Sequence, residues 1–356
     1  MTIPNIAMTR RTILKVAGVA AGAIALPGAT RAAEPTSTTP PAGIGAGKSI
    51  LLYSGWATHN IGDVGHTPGT LRYLAQHLPA AKVVCWLRKT NDAVDAMLRK
   101  RFSTVDLVRG ELANDGTAST PELQKAFDAC DMLIQNSGMH FNRFWNPPIN
   151  LLLASAAKKK RVGLYGQSFD GFRPADEERL AGLLSGASFI HTRDTESLVY
   201  LRRLGVASGV LEFGPDGCFG IDVRDDEKAE AWMQANRLES GKFVCVVVRS
   251  DSLERFNVEK DDPATAGRIK ERIDDWLSRM VEVVTGIVRK GMKVALVPEV
   301  EKEIATARDR VLAKLPEDVR KQVVHREAWW NCDEACSLYA RAHSLVAMEP
   351  HSCIMA

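Results

Sequence analysis

The chain has 356 residues, of which 45% are hydrophobic and 25% are charged. These ordinary values exclude a disordered chain, a collagen-like repeat and a small disulfide scaffold, and at about 150 residues per domain the length predicts two domains. The charge is nearly balanced, with 46 Lys and Arg against 43 Asp and Glu, so we expect no nucleic-acid partner. Seven cysteines, an odd number without paired metal-type spacing, argue against a disulfide framework.

Residues 1–33 have the pattern of an export signal. The paired arginines Arg10 and Arg11 precede a mild apolar run over residues 16–26 and a small-residue end. The run is shorter than the ~20 residues that span a membrane. We therefore expect a twin-arginine signal read by the twin-arginine export machinery, and a periplasmic or extracytoplasmic protein, tethered to the membrane if the leader is retained. The alternative is a short surface helix of a cytosolic protein.

Residues 34–48, rich in Pro, Thr and Gly, predict a flexible linker. From Ser49 onward, short apolar runs alternate with amphipathic stretches, the pattern of parallel strands covered by helices. The predicted strands are Ile50–Trp56, Lys82–Leu87, Asp131–Gln135, Arg161–Gly166, Ser188–Thr192, Phe243–Val248, Lys293–Pro298, Gln322–His325 and Ser344–Met348. We expect an α/β fold in which two Rossmann-like domains, over residues 49–225 and 240–356, face each other across a cleft.

A long helix is predicted in the second domain, from about Ala266 to Lys290, and Gly291 ends it. Its apolar stripe has a period of 3.6 residues. The stripe consists of Ile269, Ile273, Trp276, Met280, Val284 and Ile287.

Ligands in such folds bind beyond the carboxyl ends of the strands, so polar residues there are the candidate site. The glycine-rich run Gly55–Gly65 follows the first strand, precedes a helix predicted to begin near Pro68, and lacks the dinucleotide-binding spacing of glycines. Its Asn60, Gly62 and Asp63 are candidate substrate-binding residues, because glycine allows a close backbone approach and a helix N-terminus offers free N–H groups. Asp63 also fits a turn or cap role.

Two further strand ends place small and polar groups on the same side of the sheet. Asn136, Ser137 and Gly138 follow the third predicted strand, and Gln167 and Ser168 follow the fourth. All five are candidate substrate-binding residues.

Arg193 and His351 are the candidate catalytic residues. Arg193 stands at a strand's carboxyl end before the predicted helix N-cap Asp194, where a guanidinium suits a carboxylate or phosphate. The alternative is an ion pair with a neighbouring acid. His351 follows Pro350, which favours a helix start, so we expect it in a first turn whose dipole lowers its pKa and keeps it neutral. Arg249, at the end of the first strand of the second domain, is a further binding candidate.

The order of these segments resembles the polysaccharide pyruvyl transferase family over roughly Ser49 to Ala356. The motifs are Asn-Ile-Gly-Asp, Asn-Ser-Gly, Gly-Gln-Ser-Phe, Thr-Arg-Asp-x-x-Ser with Leu-Gly-Val after it, and a final x-x-His-Ser. No single motif is specific; their order and spacing make the match. The resemblance implies two Rossmann-like domains in the glycosyltransferase-B arrangement. It also implies transfer of the enolpyruvyl unit of phosphoenolpyruvate onto a sugar as a ketal, with release of phosphate. The acceptor would be a glycan or lipid-linked sugar, and we expect neither a metal nor another cofactor.

The resemblance also assigns roles. Arg193 matches the arginine that contacts phosphoenolpyruvate, and His351 matches the C-terminal histidine, a candidate general acid that protonates the methylene carbon or assists phosphate departure. The family usually shows Arg-x-His, whereas Glu349 stands in the arginine's place here. An unscreened contact at about 4 Å between the Glu349 carboxylate and a doubly charged donor costs on the order of several kcal/mol. Either Arg249 or Lys302 substitutes for the cation, or the protein does not bind phosphoenolpyruvate.

Three functions remain open at this point. The first is a transferase that pyruvylates or otherwise modifies an envelope or extracellular glycan. The second is an exported, non-catalytic glycan-binding relative, and the third is a nucleotide-sugar glycosyltransferase of the same architecture. The export signal counts against both transferases, because their donors are cytosolic metabolites. Glu349 favours the binding protein, whereas Arg193 and the full set of motifs favour the pyruvyl transferase.

Cys85, Cys130 and Cys245 lie in or beside apolar strands and are expected in the core. Cys332 and Cys336 stand one helical turn apart but lack the second pair that a zinc site usually needs. The chain stops soon after His351, whereas a doubly wound domain usually closes with further helices. We therefore expect a fragment of a longer protein, with an incomplete second domain.

Overall fold

The structure, a computed structural model, describes residues 43–142, 149–250 and 263–356. All of these described residues belong to one compact unit. The predicted export signal and residues 34–42 of the predicted linker lie outside the described residues, so both stay predictions. Within the described parts of the chain, no helix combines the length and the apolar character needed to cross a bilayer.

The first sheet has eight strands, all paired in parallel. They are β1 (Ser49–Ser54), β2 (Lys82–Leu87), β3 (Asp106–Val108), β4 (Met132–Gln135), β5 (Gly138–Asn142), β6 (Arg161–Asp170), β7 (Phe189–Thr192) and β8 (Leu211–Phe213). Their order is β3-β2-β1-β4-β6-β7-β8, and β5 pairs with the second half of β6. The order reverses between β1 and β4, which is where ligands bind in open parallel sheets.

The second sheet has four parallel strands in the order β11-β10-β9-β12. They are β9 (Phe243–Val247), β10 (Lys293–Leu296), β11 (Val323–His325) and β12 (Ser344–Ala347). Its order reverses between β9 and β12, so this sheet also has a switch point at its carboxyl edge.

Helices cover both sheets. They are α1 (Ile61–His77), α2 (Asp92–Arg101), α3 (Pro121–Ala129), α4 (Ile149–Ala157), α5 (Glu177–Ser185), α6 (Thr195–Arg203), α7 (Asp226–Ala235), α8 (Pro263–Arg289), α9 (Glu303–Thr306), α10 (Glu317–Arg320), α11 (Cys332–Tyr339) and α12 (Pro350–Met355). A 3₁₀ turn at Gly217–Gly220 follows β8 and packs against α1.

One central core joins the two sheets, and each sheet has an outer core on its other face. Successive strand residues alternate between them: Leu52 and Cys245 pack in the central core, whereas Leu51 and Val246 pack in the outer ones. Each fully buried side chain of this size contributes about 1.5–3 kcal/mol of transfer free energy. The shared core therefore holds the carboxyl ends of both sheets in a fixed relation.

The fold confirms the predicted parallel α/β class, and each predicted strand is present with small differences at its ends. The three strands that prediction missed are β3, β5 and β8, which have three to five residues each. Trp276 does not belong to the buried stripe of the long helix, because its side chain is 43% exposed and Leu277 is buried instead. The division at residues 225–240 stays a prediction.

The cysteines pack as expected. Cys85, Cys130 and Cys245 are buried, and Cys332 and Cys336 are buried as free thiols in the central core. The four-residue spacing of Cys332 and Cys336 therefore reflects one buried face of α11.

Candidate functional site

The glycine-rich run continues directly into α1. Asn60 is the N-cap: its side-chain Oδ1 accepts hydrogen bonds from the backbone N–H groups of Gly62 (2.9 Å) and Asp63 (3.3 Å). The helix therefore begins at Ile61, and the predicted start near Pro68 is wrong, because a capped turn precedes the proline. Asp63 lies in the first turn, where a carboxylate complements the helix dipole.

The glycines of α1 permit close packing. Gly62 and Gly69 lie two turns apart on one face of the helix. A Cβ atom at Gly62 would lie 2.8 Å from the Cβ of His351 and nearer still to its ring, and one at Gly69 would collide with the carbonyl oxygen of Gly217. Because Gly62 has no side chain, its backbone can pack directly against His351, the candidate acid.

Asn136 is fully buried and all its side-chain polar atoms are engaged. Its Oδ1 accepts from Thr70 Oγ1 (2.6 Å), and its Nδ2 donates to Ser54 Oγ (2.8 Å) and to the backbone oxygen of His66 (3.0 Å). These bonds tie β1, β4 and α1 together at the switch point of the first sheet.

Ser137, Gly138 and Gln167 extend that arrangement. Ser137 Oγ donates to the backbone oxygen of Gly166 (3.0 Å) and accepts from the backbone N–H of Gly217 (2.9 Å). Gln167 Nε2 donates to the backbone oxygen of Asn136. Gly138 lies against the ring of His140, where a Cβ would not fit. We call Asn136, Ser137, Gln167, Ser54 and Thr70 the amide cluster.

A second group carries charge. Arg193 Nη1 lies 2.6 Å from Asp216 Oδ2, and its Nε donates to Ser168 Oγ (2.7 Å). Ser168 in turn donates to Asp194 (2.6 Å), which is the N-cap of α6 as predicted. The predicted alternative for Arg193, an ion pair with an acid, is therefore present; the acid is Asp216, in the loop after β8.

Two histidines converge on the same carboxylate. Asp216 Oδ2 lies 3.2 Å from His66 Nε2 and 3.8 Å from His351 Nε2, and the two ring nitrogens are 3.2 Å apart. His66 comes from α1 and His351 from the first turn of α12, as predicted for His351. The contact thus joins the carboxyl ends of the two sheets.

Glu299, in the loop after β10, holds the other side of His351. Its side chain is fully buried, with Oε1 3.2 Å from His351 Nδ1. Its Oε2 accepts from the backbone N–H of Ser352 (2.8 Å) and from Ser352 Oγ (2.5 Å). We call Arg193, Asp216, His66, His351 and Glu299 the charged cluster.

The pKa values follow from this pairing. Burial alone would raise the pKa of Asp216, but the charges of His66, Arg193 and His351 outweigh it and hold that pKa well below its usual range. Burial likewise opposes the ionised form of Glu299, and bonds from His351 and Ser352 lower its pKa. Burial would lower the pKa of His351, but Glu299 and Asp216 raise it. The prediction that the pKa of His351 is lowered is wrong, because two carboxylates outweigh both burial and the helix dipole.

Arg249 and Glu349 form an adjacent pair. Arg249 Nε lies 3.4 Å from Glu349 Oε1, and their side chains are 7% and 11% exposed. Of the two cations expected to compensate for Glu349, Arg249 forms an ion pair with it, and Lys302 is exposed. A buried cation thus remains near the position of the family's arginine, with an anion attached.

The cluster also contains groups that can bind metal. Ligand atoms of His66, Asp216, Cys218 and His351 all lie within 4.8 Å of one another. Burial raises the pKa of the Cys218 thiol well above its usual value, and the guanidinium of Arg193 lies against the same Asp216 oxygen. A divalent ion there would face a fixed cation, so we interpret the group as hydrogen-bonded ion pairs.

Sequence reasoning missed three of these residues as site members: His66, Asp216 and Glu299. His66 is the sixth residue of α1 and lies between the buried residues Gly65 and Thr67, where a histidine is interpreted as a core residue. Asp216 follows β8, a strand too short to recognise. Glu299 had a usable signal, since it follows a predicted strand directly.

The fold and these contacts define a parallel α/β protein with buried acid–base groups at the facing carboxyl ends of its two sheets. The sequence model of the family described as polysaccharide pyruvyl transferase matches residues 60–356. The chain therefore belongs to the polysaccharide pyruvyl transferase family. A comparison with curated proteins gives no match.

Several solved structures are similar in fold. They include ADP-heptose lps heptosyltransferase II of E. coli, with 12% identity, a TM-score of 0.46, and coverage of 84% of this chain and 78% of that one. The UDP-GlcNAc 2-epimerase from Methanocaldococcus jannaschii has 11% identity, a TM-score of 0.46, and coverage of 86% and 81%. These likenesses are too distant to bear on function.

Proposed function

We propose that the protein transfers the enolpyruvyl group of phosphoenolpyruvate onto a sugar of an envelope or extracellular glycan. Family membership supports a pyruvyl transferase reaction. The observation that carries the proposal is His351, held between the carboxylates of Glu299 and Asp216, which raise its pKa and so favour the protonated form. Protonation of the methylene carbon of an enol phosphate requires a general acid, and a protonated imidazole can serve as one.

The reaction balances with His351 as the acid. One sugar hydroxyl adds to C2 of phosphoenolpyruvate while the C2=C3 electron pair takes the proton from His351 Nε2, so that C3 becomes a methyl group. Phosphate then leaves C2 with the C–O electron pair, and a second hydroxyl closes the ketal. The hydroxyl protons replace the one that His351 gave and protonate the phosphate. Arg193, beside Asp216 and Ser168, is proposed to contact the donor's carboxylate or phosphate.

The remaining predicted residues have supporting roles in this proposal. Asn60, Gly62 and Asp63 form the first turn of α1 beneath His351, and Asn136, Ser137, Gly138 and Gln167 fix the neighbouring strand ends. The side chains of Asn60, Asn136, Ser137 and Gln167 are hydrogen-bonded to the protein itself. We therefore propose that they shape the site, and that Ser168 and Arg249 are closer to the donor.

The test is a product assay. The full chain is incubated with phosphoenolpyruvate and a panel of glycans that present two hydroxyls able to close a ketal ring, and released phosphate and glycan mass are measured. We expect phosphate release matched by one pyruvyl ketal on the acceptor, lost in His351→Asn and retained in His343→Asn, which changes a histidine at the other end of β12. Phosphate release that persists in His351→Asn would refute the acid role.

A second candidate, a non-catalytic glycan-binding protein, is favoured by one observation. Glu349 pairs with Arg249, so a cation that would meet a multiply charged donor is already neutralised. This candidate predicts glycan binding without measurable affinity for phosphoenolpyruvate.

We also propose export by the twin-arginine route, supported by Arg10 and Arg11 before a mild apolar run. The measurement is cell fractionation of the full chain. Replacement of both arginines by lysine is expected to leave the protein in the cytoplasm, whereas replacement of the exposed pair Arg202 and Arg203 is not.

A further inference from the structure

Glu299 is a fully buried carboxylate whose side-chain hydrogen bonds go to residues of α12. Burying an ionised carboxylate is costly unless hydrogen bonds and opposite charges compensate. Here Oε1 faces His351 Nδ1 at 3.2 Å, and Oε2 accepts two bonds from Ser352. Because an ionised carboxylate only accepts, the proton in the first contact belongs to Nδ1 of His351.

The same residue caps α12 from outside. The helix has six residues, and its own N-cap residue, Glu349, makes no side-chain capping bond. Glu299 instead accepts the backbone N–H of Ser352, in the first turn. A helix of this length is not stable alone, so the position of His351 depends on a carboxylate supplied by the loop after β10.

That loop is in turn hydrogen-bonded to residues 59–61, at the N-terminus of α1. The backbone oxygen of Glu299 accepts from Ile61 N–H (2.9 Å), and Glu301 N–H donates to the oxygen of His59 (2.9 Å). Asn60 and Val300 form an antiparallel bridge between these two bonds. Glu299 thus lies where the N-termini of α1 and α12 meet.

We propose that Glu299 is a positioning residue for His351: it fixes the imidazole with Nδ1 protonated and bound, so that Nε2 is the nitrogen that faces the charged cluster and gives its proton to the substrate. This role in catalysis rests on the proposed transfer reaction. The orientation and protonation of His351 can be measured without it.

Other charged and titratable groups also face His351. Asp216 lies across from Nε2 in the loop after β8, with Arg193 paired to it, and His66 approaches from α1. The Cys218 sulfur and a Glu349 carboxylate oxygen also lie within 4.8 Å of a ring nitrogen of His351. Glu299 is the anion nearest the ring, and with burial opposing it, it is the main cause of the raised pKa of His351. Removing the charge of Glu299 should therefore lower the pKa of His351.

The experiment is NMR titration of the full chain labelled with ¹³C-histidine, with His351→Asn used to assign the His351 signal. In Glu299→Gln, which keeps the shape and an acceptor oxygen for Ser352, we expect the pKa of His351 to fall. The pH at which phosphate release declines on the alkaline side should fall with it. The matched control is Glu303→Gln: Glu303 is also a buried glutamate of this half, bound to Ser250 Oγ, and we expect no shift.

Ser352→Ala guards against a purely structural explanation. It removes the hydroxyl bond to Glu299 but keeps the charge and the backbone N–H, so stability should fall while the pKa of His351 stays raised. A His351 pKa unchanged in folded Glu299→Gln would overturn the inference. If the pKa falls as expected while the unaltered protein releases no phosphate, the positioning stands and the proposed transfer reaction fails.

Discussion

His140 and His351 are both partly buried near the carboxyl edge of a sheet, yet their surroundings move their pKa values in opposite directions. His140 packs against Trp56, with ring centroids 3.9 Å apart, and burial together with the nearby charges of His66 and Arg193 lowers its pKa to about 3. His351 is also opposed by burial, but Glu299 and Asp216 raise its pKa. Burial alone therefore does not decide which histidine can act as an acid; the carboxylates do.

The surrounding clusters differ in the same way. The amide cluster uses its polar atoms on neutral backbone and hydroxyl partners, and so it fixes the shape of the first sheet's edge. The charged cluster pairs ionisable groups that come from both sheets. The charged cluster contains acid and base side chains that can exchange protons, whereas the amide cluster does not, which is why the proposed chemistry lies in the charged cluster.

The largest expected effect comes from breaking the amide cluster. Asn136→Ala would leave Thr70, Ser54 and the His66 carbonyl without their partner in a buried site. At about 1–3 kcal/mol for each unsatisfied group, we expect a loss of roughly 3 kcal/mol or more. Urea unfolding measures it. The control is Asn236→Ala, which removes one bond at the half-buried end of α7; an equal loss there would refute the special role of Asn136.

The structure explains how far sequence alone could reach. Asn136, Ser137 and Gln167 can be identified from sequence because each follows a predicted apolar strand, and strand ends converge in a parallel sheet. In the structure β6 runs on to Asp170, so Gln167 lies within the strand and not after it. The partners of these residues cannot be identified in this way, because hydrogen bonds between β1, β4 and α1 depend on tertiary packing. The pKa direction of His351 was predicted wrongly for the same reason: its helix position is local, but Glu299 lies 52 residues away.

Gly62→Ala tests the contact between α1 and the charged cluster. The added Cβ would overlap His351, so we expect a loss of about 1–3 kcal/mol and a displaced imidazole with reduced phosphate release. Gly182→Ala is the matched control, since that glycine lies within α5 with nothing within 4 Å of an added Cβ. It should gain roughly 0.5–1 kcal/mol. Equal stability of both variants in thermal unfolding would contradict the close contact.

Glu349 tests whether the pair with Arg249 limits donor binding. Glu349→Gln removes one negative charge beside Arg249, so phosphoenolpyruvate should bind several-fold more tightly, and Glu349→Arg more tightly still. Glu301→Gln, an exposed change in the neighbouring loop, serves as the control. Unchanged affinity in both Glu349 variants would place this residue away from the donor.

The smallest expected effect is on the pH dependence of the free energy of unfolding. Since the pKa of His351 is raised on folding, its stabilising contribution is complete below the ordinary value of about 6.5 and is lost as pH rises through the folded pKa. The free energy of unfolding should therefore decline over that range, and less so in Glu299→Gln. Identical pH dependence of the two proteins in urea titrations would contradict the pairing.

Calorimetric titration of the full chain with phosphoenolpyruvate tests the central claim most directly. A pyruvyl transferase with Arg193 at the donor should bind it in a saturable, salt-sensitive manner, and Arg193→Gln should abolish binding while Arg202→Gln, an exposed change in α6, preserves it. Absence of binding in the folded, unaltered protein, with a glycan panel present or absent, would contradict the proposed transfer and leave the glycan-binding alternative.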